Sequence, residues 1–286
     1  MSFESCSLRV GRPGRVDAVV MIVHPAIDPV AFSVGPIQVH WYGLMYLAGF
    51  AAGYGLGVKR AAQPGSGWGT HEVADVLFYI AIGVILGGRI GYVLFYNLPY
   101  YLHNPVQMFE VWSGGMSFHG GLVGVIAAMA WYGYKTNRQF FAVADFIAPL
   151  TPLGLLAGRI GNFINQELWG KPSDLPWAMV FPATDPSRVP RHPSMLYEAF
   201  LEGLVLFVIL WVYSRKHRKV GRVSALFLIC YGIFRFAVEF VRLPDPQLGY
   251  LAFGWLTMGQ VLSIPMVLLG LIIYFLPARS VKEPVD

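Results

Sequence analysis

Apolar windows of about twenty residues recur along the chain near 37–58, 73–96, 117–134, 140–164, 194–213, 223–242 and 255–276, separated by short polar segments. That is the length a helix needs to cross the roughly 30 Å hydrocarbon core of a bilayer. The pattern predicts an all-α polytopic integral membrane protein with about seven transmembrane helices. Between the fourth and fifth windows, residues 166–193 carry Pro172, Pro176, Pro182, Pro186, Pro190 and Pro193, a density that excludes a long helix. This segment is expected to be an irregular Pro-rich outer loop, of a length that in compact proteins is often functional. Residues 1–20 precede the first window as an N-terminal extension with Arg9, Arg12 and Arg15, and their apolar part is too short for a secretory signal. Residues 21–286 are read as a single transmembrane domain, with Met21 an alternative start.

Composition agrees with the pattern. The 286 residues are 56% hydrophobic and 13% charged, with a mean hydropathy of +0.54, against about 25% charged residues in soluble domains. The net charge of +5 is dispersed between apolar spans rather than gathered in a patch, so it points to loops in a membrane and not to nucleic acid. Cys6 and Cys230 are too few for a disulfide framework. With no nucleophilic Ser, Thr or Cys beside a partner set, any thiol chemistry would use the substrate's own thiol.

Charge also sets the expected orientation. Lys59, Arg60, Lys135, Arg138, the run Arg215, Lys216, Arg218, Lys219 and Arg222, and the tail residues Arg279 and Lys282 all fall on one side, eleven against four on the other. The positive-inside rule makes that side cytoplasmic, with the N-terminus external and the C-terminus cytoplasmic. In this topology Arg89, Arg159, Arg235 and Glu239, together with His40, Tyr42, His119, Glu198 and Glu202, collect in the outer half of the spans. Scattered structural bonds need no such bias; a site opening towards the outer leaflet does.

A guanidinium at membrane depth costs roughly 2.5–3.5 kcal/mol on insertion scales, so each needs a partner, a wet cavity or a ligand. Arg159, Asn162 and Gln166 fall at i, i+3 and i+7 and would share one helix face. Arg235, Glu239 and Arg242 would form a charged stripe on the sixth span, and Glu198 and Glu202 repeat the i, i+4 spacing on the fifth, where they are expected to neutralise arginines. Gly-Arg-Ile-Gly occurs at 88–91 and again at 158–161. It reads either as small-residue packing that includes an arginine or as two guanidinium groups at similar depth. His119 sits in W-S-G-G-M-S-F-H-G-G, where it could bond a neighbouring helix or act as a general base. Asp75 and Asp145, near the cytoplasmic ends of their spans, read as structural. The dispersed histidines make no metal set. Arginines with a histidine in an outward-facing cavity suggest an anionic lipid headgroup as ligand, compatible with either an enzyme or an anionic-lipid transporter. The apolar inner halves of the spans offer a transporter no path. An intramembrane protease lacks its Ser/Lys, paired Asp or zinc set.

The motifs go further by resemblance. H-W-Y-G-L-M-Y at 40–46, G-G-R-I-G-Y at 87–92, G-G-M-S-F-H-G-G at 114–121, G-R-I-G-N-F-I-N-Q-E-L-W-G at 158–170, H-P-S-M-L-Y-E at 192–198 and R-F-A-V-E-F-V-R at 235–242 resemble the bacterial phosphatidylglycerol:prolipoprotein diacylglyceryl transferases from about Pro29 to Phe275. The resemblance implies a bacterial inner-membrane enzyme. It would move the diacylglyceryl group of phosphatidylglycerol to the lipobox cysteine of a preprolipoprotein, forming a thioether and releasing glycerol 1-phosphate without metal or organic cofactor. It implies catalytic roles for His119, Arg159 and Arg235, and substrate-binding roles for Tyr42, Arg89, Asn162, Glu167, Gly170, Glu239 and Arg242.

Overall fold

The computed structural model describes residues 21–244 and 248–276. The N-terminal extension 1–20 and the tail basic residues Arg279 and Lys282 lie outside them. The chain is mostly helical. The helices are α1 (Trp41–Ala61), α2 (Thr70–Phe95), α3 (Leu98–His103), α4 (Phe118–Lys135), α5 (Phe140–Ile147), α6 (Thr151–Ile164), α7 (Ser194–Tyr213), α8 (Arg222–Val238) and α9 (Met258–Phe275).

Among the described residues, α2, α7 and α9 are each long and apolar enough to cross a bilayer, and α5 with α6 makes a fourth candidate bent by 49°. The expected window at 140–164 is therefore broken, because Pro149 and Pro152 lack the N–H groups that would continue a straight helix. The other windows are diluted by glycine and aromatic residues in α1 and α4, or shortened to 17 residues in α8. Two expected spans also change their ends. Residues 37–40 are not helical: they form strand β3 (Ile37–His40), paired antiparallel with β2 (Val30–Val34) through a turn at Gly35 with φ +59°. His40 therefore ends a strand and not a transmembrane turn. Helix α8 stops at Val238, so Glu239 and Arg242 lie beyond it.

The described residues divide into two compact units, one comprising 21–51, 151–218 and 225–276, the other 52–150 and 219–224. In the second, α2 and α4 meet along glycines. A Cβ added at Gly83 would lie 2.5 Å from the Gly124 carbonyl oxygen, and one at Gly91 would lie 2.7 Å from the Gly120 Cα. Small residues give helices the close backbone approach that replaces a hydrophobic driving force in lipid. Asp145 accepts from the Gly221 and Ser224 amides and the Ser224 hydroxyl, a structural role at the start of α8.

In the first unit the Pro-rich loop 166–193 has no helix. A short parallel pair joins β1 (Ile22–Val23) to β4 (Met179–Val180), and Arg191 bridges to Met179 and Pro172. Beneath it, the buried side chains of Met179, Phe181 and Met195 pack with Ile22, Phe163 and Trp169. The loop is thus pinned to α6 and α7. Helix α7 itself contains a π-helical stretch, Ala199–Val205. Such local widening is rare and recurs at functional sites.

Candidate active site

Three helices and their ends build an ion cluster inside the first unit. Glu198 and Glu202 project from α7, Arg159 from α6, Arg235 from α8, and Glu239 and Arg242 from the segment after α8. Glu198 is the hub. Its carboxylate lies 2.5 Å from Arg159 Nε, 3.3 Å from Arg235 Nη1 and 3.6 Å from Arg242 Nη1. Arg235 Nη2 also reaches Glu239 at 2.8 Å, while Arg159 Nη2 is 4.0 Å from Glu202. The expected neutralisation of the arginines by Glu198 and Glu202 is what the structure brings together.

Exposure gives the cluster a direction. Glu198 and Glu202 side chains are 0% exposed and that of Glu239 5%, whereas Arg159, Arg235 and Arg242 keep 19%, 16% and 12%. Three carboxylates balance three guanidiniums, yet only the guanidiniums reach the surface. Buried acids hold the forks from behind, and what a ligand meets is cationic. A carboxylate buried without partners costs several kcal/mol, so the acids stay in place only as part of this lattice.

The lattice continues at the end of α6. Arg159 Nη1 donates to Asn162 Oδ1 at 3.4 Å, and Asn162 Nδ2 and Asn165 Nδ2 each donate to Glu167 at 3.2 Å. Gln166 does not share this face. The helix ends at Ile164 and Gln166 takes φ +57°, so the i+7 spacing no longer applies. Its side chain instead accepts from the Ala183 amide and its carbonyl from the Thr184 hydroxyl, fixing the Pro-rich loop. Tyr42 packs on α6 at Gly161, where a Cβ would lie 2.8 Å from its ring, and shares a 3.2 Å hydrogen bond with Tyr46.

Gly170 lies between two backbones. A side chain there would meet the Val241 carbonyl oxygen, and its Cβ would lie 2.9 Å from the His192 Cβ. The Gly170 amide donates to the His192 carbonyl at 2.8 Å, and Lys171 donates to Val241 at 2.9 Å. The glycine thus sets the register in which Arg242, bridged to it, faces Glu198. Glu239 is positioned by the first turn of α9: Thr257 Oγ1 donates to it at 3.0 Å, and a Cβ on Gly259 would lie 2.7–2.9 Å from its carboxylate. A helix N-terminus favours a carboxylate at this place.

Arg89 and His119 belong to the second unit. Arg89 is 4% exposed and donates to the carbonyls of Gln107, Met108, Gly114 and Gly115, with its guanidinium 5.2 Å from the Tyr101 ring. Gly114 and Gly115 have φ of +84° and +76°, which lets two successive carbonyls turn to one guanidinium. The two Gly-Arg-Ile-Gly copies therefore use their arginines differently: Arg89 holds carbonyls, Arg159 holds carboxylates. His119 stands in the first turn of α4, which Ser117 caps, and is exposed with no hydrogen bond among the described residues. Its ring touches Phe118 at 5.6 Å. No group of three or more His, Cys, Asp or Glu among the described residues is arranged to hold a metal.

Apolar helices of bilayer length, one of which carries the buried Glu198 and Glu202, mark a membrane protein. The sequence profile of the Prolipoprotein diacylglyceryl transferase family matches residues 29–276, and the chain belongs to that family. Curated proteins named phosphatidylglycerol--prolipoprotein diacylglyceryl transferase are similar to it over most of both chains. One from Solidesulfovibrio magneticus is 62% identical over 251 residues, covering 88% of this chain and 95% of its own. One from Pseudomonas aeruginosa strain UCBPP-PA14 is 61% identical over 251 residues, covering 88% and 94%. One from Pseudomonas putida strain KT2440 is 58% identical over 254 residues, covering 88% and 95%.

Proposed function

We propose that the protein transfers the diacylglyceryl group from phosphatidylglycerol to the lipobox cysteine of a preprolipoprotein. The observation that carries this reading is the asymmetric cluster, with guanidiniums outermost and carboxylates fully buried behind them. In the reaction the cysteine sulfur attacks the glycerol carbon of the diacylglyceryl moiety. A C–S bond forms, the C–O bond to phosphate breaks, and glycerol 1-phosphate leaves with the bonding electron pair. Charge grows on the phosphate oxygens as that bond lengthens. Arg159 and Arg235, already oriented by Glu198, are donors placed for that charge, and loss of one such preorganised donor typically costs about 2.7–4 kcal/mol of barrier. A free thiol has a pKa near 8.5, so a proton must be removed. His119 is the base in this reading, and Arg242 adds to the cationic field. Tyr42, Asn162 and Glu167 line the polar side of the substrate site. Glu239, Gly170 and Arg89 act through position: Glu239 orients Arg235, Gly170 sets the Arg242 register, and Arg89 holds the segment before His119.

The reading places the chain in the bacterial cytoplasmic membrane with seven spans: α1, α2, α4, α5 with α6, α7, α8 and α9. The N-terminus is external, the C-terminus cytoplasmic, the site faces the outer leaflet, and the Pro-rich loop is external. A reporter fused after Lys219 should register as cytoplasmic; an external signal there inverts the map.

The activity is tested with purified protein, phosphatidylglycerol labelled in its acyl chains and a lipobox peptide. Label should appear on the peptide and be absent from a Cys→Ser peptide. Folded protein that moves no label to the peptide, while carrying labelled lipid across vesicles, would make it a transporter.

A further inference from the structure

The geometry points to a second lipid site in the first unit, at the far end of α7, that selects a phospholipid with an anionic headgroup. A groove of about 490 Å³ is floored by Val208 and Val212 of α7 and Leu226 of α8, walled by Tyr213, and bounded by Lys216 and Arg218. That volume falls within the roughly 300–1,000 Å³ typical of small-ligand sites. Val208 and Val212 are one turn apart on the same face of a bilayer-length helix and remain 49% and 58% exposed, so the floor suits an acyl chain.

The rim is cationic and partly fixed. Arg218 Nε donates to the Tyr213 carbonyl at 3.0 Å, and its guanidinium lies 4.0 Å from the Tyr213 ring. Of the five donors of a guanidinium, four then carry no bond among the described residues. Lys216 is exposed beside it. No Asp or Glu occurs from Gly203 to Val238, so α7 beyond Glu202, the connection and α8 carry no carboxylate of their own to compete for these charges. An apolar floor meeting two cations at a helix end matches an amphiphile whose phosphate carries net negative charge. A zwitterionic headgroup would bring its own ammonium against Lys216 and Arg218.

This site is separate from the arginine cluster. Val212 follows Glu202 by ten residues, about 15 Å along a helix axis, so a lipid seated here is not the one whose phosphate meets Arg159. The site is an accessory one for an intact anionic phospholipid.

The test uses the full-length protein in detergent micelles with photoactivatable acyl-diazirine analogues of phosphatidic acid and phosphatidylcholine, followed by peptide mapping. Phosphatidic acid should label the 203–230 segment at least tenfold more than phosphatidylcholine at equal concentration. A basic residue near an anionic lipid surface contributes roughly fivefold. Lys216→Gln should therefore lower phosphatidic acid labelling about fivefold, and Lys216→Gln with Arg218→Gln about thirtyfold. Lys216 is exposed and holds no structural contact, so its single variant should keep transfer to a lipobox peptide within about twofold and report binding without unfolding. Equal labelling by the two lipids, or phosphatidic acid labelling unchanged in Lys216→Gln, overturns the proposal.

Discussion

Glu198 and Glu202 are one turn apart on α7, both 0% exposed, and differ in what they hold. Glu198 meets three guanidiniums at 2.5, 3.3 and 3.6 Å, whereas Glu202 meets one at 4.0 Å, and neither of its oxygens is hydrogen bonded. Glu198→Gln keeps the shape and removes the charge, leaving three guanidiniums against two carboxylates. Breaking a buried pair by removing one partner costs about 3–5 kcal/mol. The arginines here keep 12–19% exposure, so water relieves part of the excess and the lower end is expected. A loss of about 3 kcal/mol lowers Tm by roughly 6–12 °C in a chain of this size. Turnover should fall further than stability requires, because Arg159 and Arg235 lose their common anchor. Glu202→Gln removes a charge with no hydrogen bond to lose, so its stability should change by less than about 1 kcal/mol or rise. Thermal unfolding in detergent and transfer kinetics on both variants decide it. Equal damage from the two substitutions, or Glu198→Gln with unchanged Tm and turnover, would refute the hub.

His119→Gln should lower turnover by about 10²–10⁴-fold; near-normal turnover on folded protein assigns His119 a structural role. Gly170→Ala should cost about 1–3 kcal/mol by overpacking between the 192 and 241 backbones, read as a lower Tm together with lost activity. Arg191 donates to Asp185 at 2.6 Å and holds that carboxyl below the usual range, helped by Ser187. A depressed carboxylate contributes stability that is present above its unfolded pKa, near 3.9, and lost as pH falls through the lower folded value. Asp185→Asn should therefore lower Tm at neutral pH and converge on the wild type in acid; a gap that persists below the folded value would count against it.

Local rules made much of the site legible and failed where tertiary structure intervened. The pairing of Arg235 with Glu239 follows from i, i+4 spacing and survives although the helix ends between them. Glu198's position among three arginines from separate segments does not follow from any single helix face, and no spacing rule would rank it above Glu202. Gln166 leaves its face because the chain turns left-handed two residues past the helix end. The second strand of the hairpin, residues 37–40, is hidden at the start of an apolar window. Its alternation Ile37-Gln38-Val39-His40 and the Gly35-Pro36 turn are strand signals that a twenty-residue average removes. Arg89 and Arg159 share a four-residue motif, yet only the fold distinguishes a guanidinium surrounded by carbonyls from one surrounded by carboxylates.

The central claim is that the outward guanidiniums of Arg159 and Arg235 stabilise the departing phosphate. Steady-state transfer from phosphatidylglycerol to a lipobox peptide by Arg159→Ala and Arg235→Ala, on protein shown to be folded and inserted, tests it most directly. The account predicts a fall in turnover of roughly 10²–10³-fold or more in each; near-normal turnover in both would contradict it.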